Sequence, residues 1–262
     1  MPDAVLLVDG KKRESHLFYT TSEDYLKGEG QSPEIATNPE EATGIEFWHK
    51  ADQFGPVLSA RIAEGGLVYT PFTAEEFNND VATSSEWDGR LNREQQFARV
   101  LKDKYLGLEV KDCSQLIWDL RMIKSPAEIV KMKMAGKIGA EAMNAVMKAA
   151  CPGMYEYELS SLFEYECMRK GCQEMAFEVI ISSAENHKYL HYAQHNRLLT
   201  DGDFLVVDAV PAWEDYDTDI SISFPVNGKF TPRQKEIYEA CKTVSLACSV
   251  NGCIRSMTGL YR

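Results

Sequence analysis

Short apolar runs in the first part of the chain predict the strands and helices of an α/β unit. Ala4–Val8 is an apolar run that ends at Asp9-Gly10, a dipeptide typical of hairpin turns. A second strand is predicted at Leu17–Thr20, and the polar stretch 21–43 predicts an exposed loop. Further patterns predict a strand at Gly66–Thr70 and helices within Ala51–Ala63 and Asn92–Leu101.

In the second part of the chain, apolar residues recur at the spacing that is typical of helices. Ser125, Pro126 and Glu128 form the sequence of a capping box, which predicts a helix that continues to about Ala150. A second helix is predicted from Tyr155 to about Lys170 and a strand at Ala176–Ile181. The glutamates of the second helix are interpreted as a solvated acidic face rather than as metal ligands; they are Glu156, Glu158, Glu164 and Glu166.

Asp208 and Asp219 each interrupt a run of β-branched and aromatic residues, where aspartate is normally depleted. The polar stretch 214–217 between them predicts a turn, so the two runs predict a β-hairpin. An even number of residues separates the two carboxylates, which permits them to lie directly opposite on one face, with Cβ atoms roughly 4.5–5.5 Å apart. Such a pair suits a hard divalent cation such as Mn²⁺ or Mg²⁺. The alternative is two solvated aspartates near a turn.

Three histidines, His187, His191 and His195, would share one face if their segment were helical. Their segment favours a strand or loop, and no glutamate stands where a helical zinc motif requires one. His187 and His195 are therefore expected to be solvated. His16 and His49 lack carboxylate or cysteine neighbours of the ligand type in sequence, so packing is the expected role of both.

Composition excludes several classes of function. The net charge of −12 argues against nonspecific binding of nucleic acid, and 44% hydrophobic residues suffice for real cores. No apolar run is long enough for a transmembrane helix and the first residues do not resemble a signal peptide, so a cytoplasmic protein is expected. The 7 cysteines form no Cys-x-x-Cys pair, which favours free thiols over a zinc site.

Five motifs occur in an order that resembles the Xaa-Pro aminopeptidases (aminopeptidase P) of the pita-bread metallopeptidase family. They are Lys124–Ile129, the Cys151–Gly153 turn with its acidic helix, Leu190–Tyr192, the Asp208…Asp219 hairpin, and Phe224–Thr231. The resemblance is close over roughly 120–245. It implies an α/β N-terminal creatinase-like domain, 1–119, followed by an incomplete α+β pita-bread (creatinase/aminopeptidase) catalytic domain, 120–262.

The resemblance also implies roles for three side chains. Asp208 and Asp219 would be metal ligands for two divalent ions, Mn²⁺ foremost. His191 would be the catalytic histidine that lines the substrate side of the site. The implied substrate is a proline-containing peptide that loses its N-terminal residue, and homo-oligomer formation through the N-terminal domain is a further expectation.

The family uses five metal ligands, and three of them have no counterpart here. No histidine follows His195, and Glu239 is the last glutamate. Val210 and Ser221–Ser223 also stand where the family usually has glycine and Thr-Arg-Thr. The sequence therefore predicts an aminopeptidase that is inactive as this chain. Two alternatives stay open: a catalytically inactive relative that acts as a binding protein, and a Xaa-Pro dipeptidase or creatinase-like hydrolase.

Overall fold

The computed structural model describes residues 4–28, 30–65, 67–72 and 91–257, with side chains to residue 248. The chain divides into two compact units, Met1–Met122 and Ile123–Arg262. The expected boundaries at 1–119 and 120–262 stay a prediction as domain assignments.

The first unit is built around two small sheets. Strand β1 (Val5–Asp9) pairs antiparallel with β2 (Glu14–Phe18), and β3 (Phe47–His49) lies parallel to β2. Strands β4 (Leu67–Thr70) and β5 (Glu109–Asp112) form a parallel pair. Helices of this unit are α1 (Glu23–Gly28), α2 (Glu34–Thr37), α3 (Pro39–Thr43), α4 (Phe54–Ala63), α5 (Arg93–Lys104) and α6 (Ser114–Met122).

The prediction of an exposed loop at 21–43 is wrong, because this stretch contains α1, α2 and α3. Leu26 is fully buried and packs with Leu17 and Tyr19, while Ile35 lies against the same cluster. A few apolar residues among many polar ones thus suffice to hold short helices against the sheet. Strands β3 and β5 were not predicted either, since their charged and aromatic residues show no clear alternation.

The second unit packs two long helices on one face of a sheet. Helix α7 (Pro126–Ala149) begins at the predicted capping box, in which Ser125 and Glu128 exchange hydrogen bonds, and α8 (Glu156–Met168) follows. The buried residues of α7 include Ile138, Ala142 and Val146, as its apolar spacing predicts, whereas Ile129 is exposed. These helices and the sheet share one hydrophobic core.

The strands of the second unit form two three-stranded sheets. One has the order β11–β8–β7, with β7 (Ile180–Ser183), β8 (Phe204–Ala209) and β11 (Ile220–Pro225). The other has the order β10–β9–β6, with β6 (Glu174–Met175), β9 (Pro211–Trp213) and β10 (Tyr216–Asp217). The predicted strand at 176–181 thus begins only at Ile180. Helix α9 (Pro232–Met257) follows the last strand.

Candidate metal centre and its surroundings

Asp208 lies near the end of β8, on the face of the sheet that points away from the core. Leu205, Val207 and Ala209 alternate with it and are fully buried against the helices, whereas Asp208 is half-buried. This alternation follows from the period of two in a strand. Ser221 lies directly opposite on β11, and its hydroxyl donates a short hydrogen bond to Oδ1 of Asp208.

Asp219 precedes β11 and lies on the same side of the hairpin as Asp208. The pairing of Ser221 with Asp208 offsets Asp219 by two residues, so the two aspartates are diagonal neighbours. The expectation that they lie directly opposite is therefore wrong. Asp219 is exposed, but partial desolvation of its carboxylate raises its pKa above the ordinary value of 3.8, and the charge of Asp208 and a hydrogen bond to it raise this pKa further. The two carboxylates are close enough to interact directly.

The turn that joins the two runs is tight. Trp213 pairs with Tyr216, so only Glu214 and Asp215 lie in the loop, and their φ angles are +48° and +64°. Two consecutive positive φ angles are typical of a type I′ turn, which matches the twist of a hairpin. Strands β9 and β10 continue the register of β8 and β11, and this continuity fixes the offset between the two aspartates.

His191 is exposed and lies in an irregular segment between the 3₁₀ helix Ala184–Lys188 and β8. No hydrogen bond joins it to Asp208 or Asp219 within the part of the chain that the structure describes. Its substrate-side role therefore stays a prediction.

His195 differs from the sequence expectation, because it is buried rather than solvated. Only 7% of it is exposed, and its Nε2 accepts a hydrogen bond of 3.3 Å from the backbone N–H of Ile181 on β7. His187 is exposed, and its Nε2 lies 3.1 Å from the carbonyl oxygen of Ser182. Both rings thus attach the segment that contains His191 to strand β7.

Comparison with known proteins identifies the domain. Residues 130–251 match the model of metallopeptidase family M24. Xaa-Pro aminopeptidase 3 of Mus musculus is 28% identical over 257 residues, which cover 94% of this chain and 48% of the relative. Xaa-Pro dipeptidase of Rattus norvegicus is 36% identical over 169 residues, covering 60% of this chain and 33% of the relative. A Bacillus anthracis protein described as an aminopeptidase P superposes with a TM-score of 0.79 at 26% identity, over 91% of this chain and 56% of that one.

Over residues 130–251 the chain matches a family M24 metallopeptidase domain. The resemblance to Xaa-Pro aminopeptidases is confirmed, and so is the pita-bread fold of aminopeptidase P over the part of it that the chain spans. The chain spans about half the length of the relatives and of the solved structure that it matches. In the part of the chain that the structure describes, no helix is long and apolar enough to cross a membrane.

The M24 family implies divalent metal ions, and the two aspartates fit such ions in part. Carboxylate oxygens are the donors that hard divalent cations prefer. Asp208 and Asp219 are two such donors on one face, and Ser221 orients the first. Among the side chains that the structure describes, which end at residue 248, however, no group of three or more His, Cys, Asp or Glu is arranged to hold a metal.

Glu156 of the M24 domain corrects the prediction of a solvated acidic face. Glu158 and Glu164 are exposed as expected, but Glu156 at the first position of α8 is fully buried. Its carboxylate accepts hydrogen bonds from Ser183 and Asn186, among others. The spacing of residues along the helix could not predict the burial of Glu156, because its partners lie on β7 and in the segment that follows β7. A glutamate three residues after the Pro152-Gly153 turn was the only signal in the sequence.

The first unit contains a pair of histidines that sequence spacing did not bring together. Nδ1 of His16 lies 3.0 Å from Nε2 of His49, and Nε2 of His16 lies 3.3 Å from Glu14. The expectation that neither ring has a carboxylate neighbour is wrong for His16. The rings of Phe47 and Phe18 stack on His16 and His49. This packing agrees with the structural role that the sequence predicts.

Proposed function

We propose that the protein carrying this M24 domain is a metal-dependent aminopeptidase that removes the N-terminal residue from peptides with proline in second place. The observation that carries the proposal is the interacting pair Asp208 and Asp219 on one face of the β8–β11 hairpin. In this proposal both aspartates are metal ligands and His191 faces the substrate. The names of the relatives support the substrate class.

Each residue has a defined task in the proposed reaction. A divalent cation, in our proposal Mn²⁺, would supply a Lewis acid and lower the pKa of the attacking water. Ser221 holds the Asp208 carboxylate in one orientation through its hydroxyl. Asp219 lies where its charge and that of Asp208 disfavour each other unless a cation or proton lies between them. His191, exposed to solvent, would donate a hydrogen bond to the substrate.

Two other functions have support from particular observations. Only two carboxylates form the candidate site within the described residues, and this small ligand set favours a catalytically inactive relative that binds other proteins. The similarity to a Xaa-Pro dipeptidase favours a hydrolase of dipeptides instead. A creatinase-like hydrolase is less well supported, because Asp208 and Asp219 would have no function in such an enzyme.

We propose the cytoplasm as the compartment of this protein. The cysteines in the described part of the chain are free thiols, two of them buried. Free thiols are usual where glutathione and thioredoxin keep cysteines reduced.

The decisive assay uses the longest polypeptide that the reading frame encodes, loaded with Mn²⁺. Substrates are an Ala-Pro-Ala tripeptide, an Ala-Pro dipeptide and Ala-Ala-Ala as control, and released alanine is measured by chromatography. We expect cleavage of Ala-Pro-Ala alone, with loss of activity in Asp208→Asn and after metal chelation. Cleavage of the dipeptide alone would support the dipeptidase instead. A metal-loaded protein that leaves every peptide intact would contradict the enzymatic proposal.

A further inference from the structure

Glu156 is a buried carboxylate whose hydrogen-bond donors all come from one neighbouring stretch of chain. Its Oε1 accepts from the backbone N–H of Ser183 at 2.9 Å, from Ser183 Oγ at 2.6 Å and from Asn186 Nδ2 at 3.1 Å. Its Oε2 accepts from the backbone N–H of Arg197 at 3.2 Å. These donors satisfy the acceptor atoms of a carboxylate that is fully buried.

The donors lie at the two ends of the segment 183–197, and His191 lies between those ends. Ser183 and Asn186 begin the segment, and Arg197 ends it. Backbone hydrogen bonds donated by α8 to the segment strengthen this arrangement. The N–H groups of Glu156 and Tyr157 donate to the carbonyl oxygens of Arg197 and His195 at 3.1 and 2.9 Å. The first turn of α8 therefore holds the segment through both donors and acceptors. We call this set of hydrogen bonds between Glu156, Tyr157 and the segment 183–197 the clamp.

The Arg197 guanidinium extends the clamp to the start of β8. It donates to Ser183 Oγ at 3.0 Å and pairs with both carboxylate oxygens of Asp203, and it also contacts Glu185. None of these contacts neutralises Glu156 directly, so the buried carboxylate depends on the segment for its hydrogen bonds. A change at Glu156 is thus expected to act on the segment first.

Tyr192, the immediate neighbour of His191, links the clamp to that histidine. The Tyr192 ring is buried, its hydroxyl donates to Asn196 Oδ1 at 3.2 Å, and it packs edge-on against His195. Burial raises the pKa of Tyr192, and the nearby Glu156 carboxylate raises it further. Tyr192, on the C-terminal side of His191, is therefore held in place, while Leu190 on the other side and the His191 imidazole are exposed.

We propose that Glu156 is a positioning residue for His191: it fixes both ends of segment 183–197 and Tyr192, and so holds the His191 imidazole in one place on the surface. The proposal rests on the proposed function only in assigning His191 to the substrate. The clamp itself is independent of metal and of activity. Glu156 is not a metal ligand in this account, since its oxygens are occupied by the segment.

The test compares Glu156→Gln with Glu164→Gln, an exposed glutamate on the same helix, by hydrogen–deuterium exchange of the 262-residue chain. Glutamine keeps the shape but turns one acceptor into a donor that faces other donors. We expect exchange in 184–196 to become at least about tenfold faster, equivalent to ~1.4 kcal/mol of local opening. Strands β8 and β11 are expected to keep their protection, and Glu164→Gln to match the unmodified chain.

Further variants keep the proposal testable if Glu156→Gln does not fold. Asn186→Ala removes one donor, while Glu156 keeps the donors of Ser183 and Arg197, and the same local acceleration is expected. In the double variant Glu156→Gln/Asn186→Asp, the new amide can donate to the new carboxylate. Exchange in 184–196 should then be slower than in Glu156→Gln alone. Unchanged exchange in 184–196, or acceleration spread equally over β7, β8 and β11, would overturn the positioning role and indicate general stabilisation only.

A kinetic comparison separates this proposal from the proposed function. In the Mn²⁺-loaded longest polypeptide, Glu156→Gln is expected to lower kcat/KM for Ala-Pro-Ala at least about tenfold while Mn²⁺ affinity stays unchanged. Full activity of this variant would overturn the positioning role. If the unmodified protein cleaves nothing, the proposed function fails, and the exchange measurement still decides whether Glu156 fixes the segment.

Discussion

Asp208 on β8 lies directly opposite Ser221 on β11, and the Ser221 hydroxyl donates a hydrogen bond to Oδ1 of that aspartate. This contact fixes one oxygen of the Asp208 carboxylate. Partners that orient a metal ligand in this way typically change metal affinity when they are removed.

Ser221→Ala is therefore expected to weaken Mn²⁺ binding about ten- to hundredfold, because Asp208 loses its orienting donor. Isothermal titration calorimetry of the purified chain measures the change. Ser223, on the same face of the same strand, provides the control, and Ser223→Ala should bind Mn²⁺ as the unmodified chain does. Equal affinities in both variants would show that the Ser221 contact has no part in metal binding.

Asp219→Asn is expected to stabilise the metal-free protein at neutral pH. Partial desolvation and the charge of Asp208 raise the pKa of Asp219, so the folded protein disfavours its charged form. Such a group contributes stability below its unfolded pKa and loses it as pH rises through the folded value. Urea unfolding with a chelator present should give a higher midpoint for Asp219→Asn, and no change for Asp215→Asn in the exposed turn. A lower midpoint would mean that Asp219 makes a stabilising contact of its own.

Alanine substitutions at two glycines of α7 are expected to change the free energy of unfolding in opposite directions. A Cβ on Gly139 would lie 2.9 Å from Cδ1 of Ile220 and 3.2 Å from Cγ of Pro211, whose ring cannot rotate away. Overpacking costs about 1–3 kcal/mol and outweighs the gain in helix propensity of about 1 kcal/mol. A Cβ on Gly136 meets Thr218 at an ordinary 3.7 Å.

Chemical denaturation should therefore show a lower free energy of unfolding for Gly139→Ala and a higher one for Gly136→Ala, by about 0.5–1 kcal/mol in the second case. If Gly139→Ala were also stabilising, the close approach of α7 to the hairpin would be incorrect.

His49 is expected to titrate below its ordinary pKa of 6.5. Burial lowers its pKa, and the neighbouring His16 lowers it further when charged. Because the folded pKa is depressed, the neutral ring contributes stability above the unfolded value and loses it as pH falls. NMR titration of the imidazole measures the midpoint, and His16→Gln should raise it. His187→Gln, in the other unit, should leave it unchanged. A midpoint of 6.5 or above would contradict the contact between His49 and the buried ring of His16.

Local sequence patterns predicted the helices and strands on which the site residues lie. Tertiary contacts determine the relative positions and the burial of those residues. The capping box at Ser125 and the paired apolar runs around Asp208 and Asp219 specify a helix start and a hairpin by local rules alone. The diagonal offset of the two aspartates depends on which residues form the turn, and the polar stretch 214–217 allowed several registers. Burial of Glu156 and His195 depends on partners far along the chain, which periodicity does not show.

Paramagnetic broadening by Mn²⁺ tests whether Asp208 and Asp219 together bind a divalent cation. Substoichiometric Mn²⁺ is added to the isotope-labelled chain, and amide signals are compared with those of Asp208→Asn, Asp219→Asn and the turn control Asp215→Asn. We predict selective broadening around the β8–β11 hairpin, lost in the first two variants and kept in the control. Broadening that is equal across other acidic surfaces, or unchanged in Asp208→Asn and Asp219→Asn, would contradict the claim.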